Sequence, residues 1–302
     1  MTFDLIKNGL VLGSVYLLFS AGFTLVFGAF NVLNLAHGAI MTLGAFIGIY
    51  VDNVFGLPIG FSLIAAALGG GLVNAFLDAA VLRPIVRSAR ADAGSQDLIP
   101  IVVTLSFGSI LVGLLVQTVR AVDFTYKHAE FLARPLSLGG ITISSLAITI
   151  VLSGVILTGL LSVVINKTRA GMAVRAVAED RLMAAALGIH PNSVSASIFF
   201  VSGALAGVCG VLVGILYSNV SVGIGDQMLL FGFVIITIGG VGSLAGTAVA
   251  AIFVGMLQTI ANNFFQSFVV DLIVFGALLL TLLVRPSGLF GKSVLSAGIA
   301  RR

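Results

Sequence analysis

Charge is scarce in this chain. Only 9% of its 302 residues are charged, against about 25% in an ordinary soluble domain, whereas 59% are hydrophobic. Tryptophan is absent, and the single cysteine, Cys209, excludes an intrachain disulfide and any multi-cysteine metal site. In their place the chain has apolar runs longer than the roughly 20 residues that a helix needs to cross a bilayer core. The composition therefore predicts a polytopic integral membrane protein.

Eight apolar runs are long enough, and poor enough in charge, to predict membrane helices. They lie at about 5–28, 36–51, 59–82, 98–119, 143–165, 194–217, 228–262 and 268–284. The seventh run is too long for one crossing and is broken by GGVGSLAG (239–246), and FNVLNLAHG (30–38) breaks the first two runs with almost no loop. We expect an all-α protein of about eight membrane helices, two of them broken or re-entrant, in one membrane domain over residues 1–302. Whether residues 5–51 cross once or twice is open at this point.

Lysine and arginine gather in three places, and these set the orientation. They are Arg83, Arg87 and Arg90, then Lys167, Arg169, Arg175 and Arg181, and then Arg285, Lys292, Arg301 and Arg302. The positive-inside rule puts all three groups, and with them the C-terminus, on the cytoplasmic side, and it puts 120–142 outside. The net charge of +4 then belongs to cytoplasmic loops beside a lipid bilayer and does not indicate a nucleic-acid partner.

The two breaks carry the candidate site of the membrane part. Their candidate residues are Asn31, Asn34, His37, Gly38, Gly239, Gly240 and Ser243. A helix can break inside hydrocarbon only where protein or water replaces its backbone hydrogen bonds, and amide and imidazole side chains can do so. Breaks near the midplane are also where transporters place their binding sites. We expect Asn34 to hold the broken helix together, and for His37 we favour, by a narrow margin, a place on the solute path.

The surroundings of the two breaks match. NVLNLAHGAIMTLGAFIG (31–48) is followed by VLRPIV (81–86), and GGVGSLAGTAVAAIFVG (239–255) is followed by LVRPSG (283–288). An internal repeat explains this order, and such repeats are common in transporters. The alternative is that Gly/Ala-rich membrane helices resemble one another by composition.

A cytoplasmic segment, 166–193, contains strong helix formers over 172–187, with no glycine or proline. We expect Arg175 and Glu179 to pair on one face, and Gly188 to end the helix in a left-handed turn. Asn192 or Ser193 could cap the next helix. The expected apolar stripe is Val174, Val177, Met183, Ala184 and Leu187. Without an aromatic residue, and with mixed charges on its polar face, this helix suits docking into another protein better than lying on lipid; a solvated helix without a partner is the alternative.

The stretch AVAEDRLMAAALGI (176–189) resembles the Glu-Ala-Ala-type coupling loop of ABC importer permeases, most closely the branched-chain amino acid permeases of the LivH type. Further matching stretches follow in the family's order: GLVLGSVYLLFSAGFTLVFG with NVLNLAHGA, RPIVRSAR, RAGMAVRAVAEDRLMAAALGI and GGVGSLAGTAVAAIFVG. The resemblance implies a coupling helix at about 172–188. Its implied coupling residues are Arg175, Glu179, Asp180, Met183, Ala184 and Gly188.

The resemblance also implies partners and a location. Such a permease pairs with a LivM-like second permease in the bacterial inner membrane, above two cytoplasmic ATP-binding subunits that bind the ATP, and a periplasmic binding protein delivers the solute. No cofactor of its own is implied. Some family members have an acidic residue where this chain has Ala39. Urea, short amides and other amino-acid-like solutes are therefore alternatives to branched-chain amino acids.

Other classes of protein fit less well. GLFGKS (288–293) is no phosphate-binding loop, because Pro286 occupies the position of its first glycine and no strand precedes it. A secondary carrier keeps ionisable residues inside its spans, whereas Asp78 and Asp271 lie near helix ends and only His37 lies within one. A passive channel leaves the cytoplasmic helix unexplained, and His37 has no catalytic companion. We expect a transporter subunit rather than an enzyme.

Overall fold

The computed structural model describes residues 2–88, 98–119, 125–127, 135–138 and 141–291. Its helices are α1 (Thr2–Phe30), α2 (His37–Phe55), α3 (Ile59–Phe76), α4 (Arg83–Ser88), α5 (Leu98–Val119), α6 (Ser145–Lys167), α7 (Arg169–Glu179), α8 (Arg181–Ala186), α9 (Pro191–Leu216), α10 (Ile224–Gly239), α11 (Leu244–Asn262) and α12 (Ser267–Val284). A π-helical turn, Leu77–Leu82, joins α3 to α4, and strands β1 (Pro135–Leu138) and β2 (Ile141–Ser144) pair antiparallel. The cationic residues Arg90, Lys292, Arg301 and Arg302 lie outside these residues.

Eight of the described helices are long and apolar enough to cross a membrane, which confirms the predicted all-α polytopic class. They are α1, α2, α3 with its continuation into α4, α5, α6, α9, α11 and α12. The seventh apolar run differs from the expectation of a single broken span. It forms two helices, α10 and α11, and the chain reverses between them, because α1 contacts both but runs antiparallel only to α11.

The centre of the bundle is built on α1 and α9, the two most deeply buried of the long helices. They run in opposite directions: Gly22 lies against the backbone of Ser202, and Cys209 Sγ donates to the Val15 carbonyl at 3.6 Å. The ring of Phe30, at the end of α1, stacks on Phe199 near the start of α9. The chain therefore begins at the end of the bundle opposite to that where α9 begins.

The predicted cytoplasmic segments meet at one end of the bundle, which we name the basic end. Arg83 Nη2 donates to the Asn192 carbonyl at 2.9 Å, so α4 lies beside the start of α9. Leu289 N donates to the Ile238 carbonyl at 2.8 Å, which brings the segment after α12 to the end of α10. The opposite end carries Tyr126, whose hydroxyl donates to the Ala45 carbonyl of α2 at 2.9 Å.

Glycines set the close approach of the central helices. Gly44 of α2 packs on the backbone of Gly207, and Gly70 of α3 packs on the carbonyl of Gly203. Small residues are enriched where membrane helices pack, because they let two backbones come close. The Gly/Ala composition that marks the sequence thus becomes a set of tight helix crossings around α9.

The helices at the two breaks pack reciprocally. The first break separates α1 from α2, and the second separates α10 from α11. Gly13 of α1 contacts Gly255 of α11, and Gly38 of α2 contacts Gly225 of α10. Each helix before a break thus packs on the helix after the other break. The internal repeat stays a prediction, because Gly38 and Gly225 lie in first turns whereas Gly255 lies in the second half of α11.

Candidate functional site

The first break runs back into the bundle. Helix α1 ends at Phe30, and Asn31 takes a left-handed backbone conformation with φ 55°. Helix α2 then begins at His37, whose ring lies beside Phe19 and Phe23 and not beside the end of α1. At 1.5 Å per helical residue, α2 therefore starts about 10–16 Å inward from the end of α1.

Asn34 is completely buried in this returning segment. Its Nδ2 donates to Asn74 Oδ1 on α3 at 2.9 Å, and Asn74 Nδ2 donates to the Phe199 carbonyl of α9 at 2.7 Å. We expected the Asn34 side chain to bond to freed backbone groups, but in the structure its amide nitrogen bonds to a second asparagine. Two amides in series thus tie the break to α3 and α9.

The freed backbone groups of the break bond instead to Thr104 on α5. Leu35 N donates to Thr104 Oγ1 at 3.1 Å, and the same hydroxyl lies 3.2 Å from the Leu33 carbonyl. One buried threonine therefore accepts from Leu35 N, and its single proton is shared among the Leu33 carbonyl and two carbonyls of its own helix, Pro100 at 2.9 Å and Ile101 at 3.2 Å. Nothing in the sequence singled out Thr104 or Asn74, because each lies far along the chain from the residue it serves.

His37 is also completely buried, between α1 and α9. Its Nε2 lies 3.1 Å from the Phe19 carbonyl and its Nδ1 lies 3.4 Å from Ser202 Oγ. Because a carbonyl only accepts, Nε2 carries the proton and Nδ1 accepts from the serine. The ring stacks on Phe23 with centroids 5.6 Å apart. Both ring nitrogens are thus bonded within the subunit, and a place for His37 on the solute path stays a prediction.

Gly38 lies where the first turns of α2 and α10 cross. A Cβ on Gly38 would collide with the Gly225 carbonyl, and a Cβ on Gly225 would collide with the Gly38 carbonyl. Neither position admits a side chain while the helices cross so closely. The break therefore brings two helix N-termini into contact inside the bundle.

The second break lies at the basic end and is a turn. Gly240 and Gly242 both have positive φ, +98° and +78°, which glycine adopts without strain. Ser243 Oγ accepts from Gly246 N at 3.1 Å and caps α11, and the Gly239 carbonyl accepts from Phe290 N at 3.0 Å. Of the seven candidate residues, three lie inside the bundle, Asn34, His37 and Gly38, and four lie at the basic end, Asn31, Gly239, Gly240 and Ser243.

The segment 166–193, which we predicted to be cytoplasmic, forms two helices, α7 and α8, where we expected one over 172–187. Asp180 interrupts them in an extended conformation, and its Oδ1 accepts from Leu182 N at 2.8 Å and Met183 N at 2.9 Å. An aspartate that caps a new helix ends the preceding one, and this explains the difference. The left-handed stop at Gly188 is confirmed, with φ +84°.

Two expected contacts of this segment are wrong. Arg175 donates to the Ile165 carbonyl at the end of α6, and no ion pair with Glu179 occurs among the described residues. The backbone carbonyl was the nearer partner because α7 folds back against α6. Asn192 does not cap α9; its Oδ1 accepts from Arg181 Nη2 at 3.1 Å, and so it ties α8 to the start of α9.

The expected apolar stripe divides between two surroundings. Val177 and Ala184 are buried against the rest of the molecule. Val174 is half-buried, and Met183 and Leu187 are 60% and 76% exposed. With Leu182, which lies outside the expected stripe and is 83% exposed, they form a group that we name the apolar tip (Leu182, Met183 and Leu187). Together these three side chains form an exposed apolar patch on an otherwise polar segment.

A buried ion pair connects this segment to the membrane helices. Asp78, in the π-helical turn, is 3% exposed and pairs with Arg83. Ser195 Oγ of α9 donates to Asp78 Oδ1 at 2.9 Å, and Arg83 donates to the Asn192 carbonyl. The sequence showed only that Asp78 stood near a helix end. Asp78, Arg83 and Asn192 together link α3, α9 and α8.

Comparison with known proteins gives one consistent family. Residues 5–283 match the family described as branched-chain amino acid transport system / permease component. The chain is 31% identical over 293 residues to the high-affinity branched-chain amino acid transport system permease protein BraD of Pseudomonas aeruginosa, covering 94% of each. It is 30% identical over 298 residues to the permease protein LivH of Escherichia coli K12, again covering 94% of each.

A solved structure shares the fold. PsaBC from Streptococcus pneumoniae, in complex with Fab, superposes with a TM-score of 0.51 over 96% of this chain and 98% of that one. The sequence identity is 14%, so this likeness concerns the arrangement of the helices alone.

Proposed function

The chain belongs to the branched-chain amino acid transport permease family, and on that premise we propose that it forms part of an ATP-driven importer for branched-chain amino acids. It is a transporter subunit and not an enzyme. Relatives at 31% and 30% identity are both high-affinity branched-chain amino acid permeases, which supports this solute over urea or amides. Ala39, where some relatives have an acid, is buried near Gly108 of α5. Its side chain therefore faces a neighbouring helix.

The apolar tip is the observation that carries the coupling role. Leu182, Met183 and Leu187 project from α8 and the turn after it at the basic end. A short amphipathic helix that docks in a groove buries such anchors in its partner. We assign this surface to one of two cytoplasmic ATP-binding subunits, which supply the ATP chemistry.

A series of side-chain contacts connects the apolar tip to the membrane helices and would transmit a movement of the tip to them. Arg181 of α8 holds Asn192, and Asn192 accepts from Arg83, which pairs with Asp78. A shift of α8 would therefore displace both α3 and α9. Helix α9 in turn packs on α2 through glycines whose backbones are in direct contact. ATP-driven displacement of the tip thus reaches the helix crossings at the centre of the bundle.

The remaining partners follow from the family and from the two ends of the bundle. We place the basic end and the C-terminus in the cytoplasm and the whole chain in the bacterial inner membrane. A LivM-like second permease completes the solute path, and a periplasmic binding protein delivers the solute at the opposite end. Asn34 and His37 then serve to hold the subunit together, because both are buried within it.

Loss of ATPase binding tests the coupling role. Leu182→Glu and Met183→Glu should leave membrane insertion and yield unchanged but abolish co-purification of the ATP-binding subunits. Glu179→Lys and Gly188→Trp should weaken it as well. Met172→Glu is the matched control, since Met172 is an exposed methionine of α7 outside the apolar tip. Full co-purification with both tip variants would refute the proposal.

Labelling of single cysteines tests the orientation. In a Cys209→Ala background, a cysteine in place of Lys127 should react with an impermeant thiol reagent on intact spheroplasts. A cysteine in place of Lys167 should react only after the membrane is opened. The reverse pattern would place the basic end outside.

A further inference from the structure

A cavity of about 590 Å³ opens at the basic end, between the end of α1, the π-helical turn, α7, α8 and the start of α9. Its polar lining includes Asn31, Asp78, Arg83, Arg181 and Asn192. Small-molecule sites in proteins are clefts of about 300–1,000 Å³, mostly apolar, with a few placed polar groups. The size and the composition of this cavity fall in that class.

Positive charge prevails on the cavity wall. Two guanidinium groups, of Arg83 and Arg181, face one carboxylate, of Asp78. The Asp78 oxygens are already engaged, one by Ser195 and the other by Arg83. Arg83 Nη2 donates to Asp78 and to the Asn192 carbonyl, and Arg181 Nη2 donates to Asn192 Oδ1, so both guanidinium heads stand at this wall. A guanidinium carries five N–H donors, so the carboxylate of a ligand can bond to these heads beside their protein partners.

Apart from Ser195, the rest of the lining is apolar. Leu82 and Val86 belong to the π-helical turn and α4, Val177 belongs to α7, and Phe199 belongs to α9. An aliphatic chain of a few carbons can lie against these side chains while its charged group stays near Arg83. The cavity therefore suits a short molecule with an anionic head and an apolar tail.

Two backbone irregularities border the same cavity. Asn31 has a left-handed backbone, uncommon for a residue with a side chain, and the π-helical turn contributes Asp78 and Leu82. Such features cost energy and concentrate at functional sites. The cavity brings both together from parts of the chain that are far apart in sequence.

We propose that this cavity binds a short aliphatic carboxylate, with its carboxylate at Arg83 and Arg181 and its apolar chain against Val86 and Val177. That leucine is the ligand in the cell rests on the proposed function, whereas the binding of a short aliphatic carboxylate to this cavity does not. Arg83 belongs to the membrane helices and Arg181 to α8, so a ligand that touches both ties the apolar tip to α3. Solute that accumulates in the cytoplasm would thereby act on the coupling segment.

An anionic lipid headgroup shares the charge of this ligand but fits the position less well. The wall is formed partly by α1 and α9, the two most buried of the long helices, rather than by helices that face lipid. Inorganic phosphate serves as the probe for that alternative.

The absence of tryptophan from the chain gives a direct assay. Leu182→Trp places one fluorophore on the cavity lining of the purified full-length chain, and Phe268→Trp, on α12, is the control reporter. Leucine and 4-methylpentanoate should change the fluorescence of the first reporter saturably and leave the second unchanged. The amine 3-methylbutylamine and inorganic phosphate should change neither. Calorimetry on the unsubstituted chain checks that the reporter did not create the site.

Charge removal then locates the ligand. The double variant Asp78→Asn/Arg83→Gln retains groups that can hydrogen-bond to each other but removes the guanidinium, and it should weaken carboxylate binding roughly tenfold or more. Arg169→Gln removes one guanidinium from the exposed start of α7, away from the cavity lining, and should bind like the parent. Equal affinity in the double variant, no saturable signal with either carboxylate, or tighter binding of phosphate or the amine would each overturn the proposal. Because no ATPase or binding protein is present, failure of leucine uptake would leave this result intact.

Discussion

Each of the two breaks leaves backbone groups without their helical partners, one of them inside the bundle and the other at its end. At 240–243 the chain reverses at the basic end, and glycines with positive φ together with one serine cap suffice. At 31–37 it returns into the bundle, and side chains from three other helices, Asn74, Thr104 and Ser202, bond to residues of this segment. The two breaks therefore have similar sequences but are stabilised differently, one by backbone conformation and one by side chains of other helices.

Depth explains the difference. A turn at the end of a bundle can pair its backbone with a neighbouring segment, as the Gly239 carbonyl does with Phe290 N. A segment inside has no such freedom, because each unpaired backbone group costs several kcal/mol where water is excluded. The deep break thus depends on particular side chains and the shallow one on backbone conformation.

The largest expected effect comes from the crossing that the deep break creates. Gly225→Val should destabilise the protein by about 3 kcal/mol, the upper end of the usual range for overpacking, because its side chain would meet the Gly38 backbone and force α2 and α10 apart. Thermal unfolding in detergent measures this. Gly223→Val is the control, since a Cβ there meets nothing within 4 Å. Equal melting temperatures for the two variants would contradict the crossing.

The second largest loss of stability is expected when the hydrogen bond between the buried amides of Asn34 and Asn74 is removed. Asn34→Leu should lower the free energy of unfolding by about 1–3 kcal/mol, because Asn74 Oδ1 loses its donor in a dry interior. The double variant Asn34→Leu/Asn74→Leu should cost less than the sum of the single variants. Additive losses in this double-mutant cycle would show that the two amides do not act as a pair.

Much of the architecture could be predicted from the sequence, because apolar length is a direct signal. The runs at 98–119 and 268–284 correspond closely to α5 and α12. Gly188 also ended its helix as expected, since a left-handed stop needs only local information.

The contacts that decide the site could not be predicted. Asn34 meets Asn74 and His37 meets Ser202 only after the helices pack, and a single sequence carries no trace of such pairs. The π-helical turn at Leu77–Leu82 has no signal in composition either. Asp180 did carry a signal, because aspartate is a preferred helix cap, yet the strong helix formers around it hid the interruption.

A smaller effect is expected at the shallow break. Gly242→Ala should cost about 1–2 kcal/mol, because alanine in the left-handed region is strained. Open space beside Gly159, on α6, makes Gly159→Ala the matched control. Melting temperatures of the two variants give the comparison. A loss for Gly242→Ala as large as that for Gly225→Val would remove the distinction between the breaks.

The central claim is that the deep break is scaffold rather than solute path, and His37→Gln tests it most directly. Glutamine cannot reproduce both the Phe19 and the Ser202 contacts or the stacking on Phe23. Melting temperature is measured beside solute uptake per folded complex, with the exposed His190→Gln as the control. The account predicts a lower melting temperature with uptake per folded complex unchanged. An unchanged melting temperature with uptake lost would place His37 on the path and contradict it.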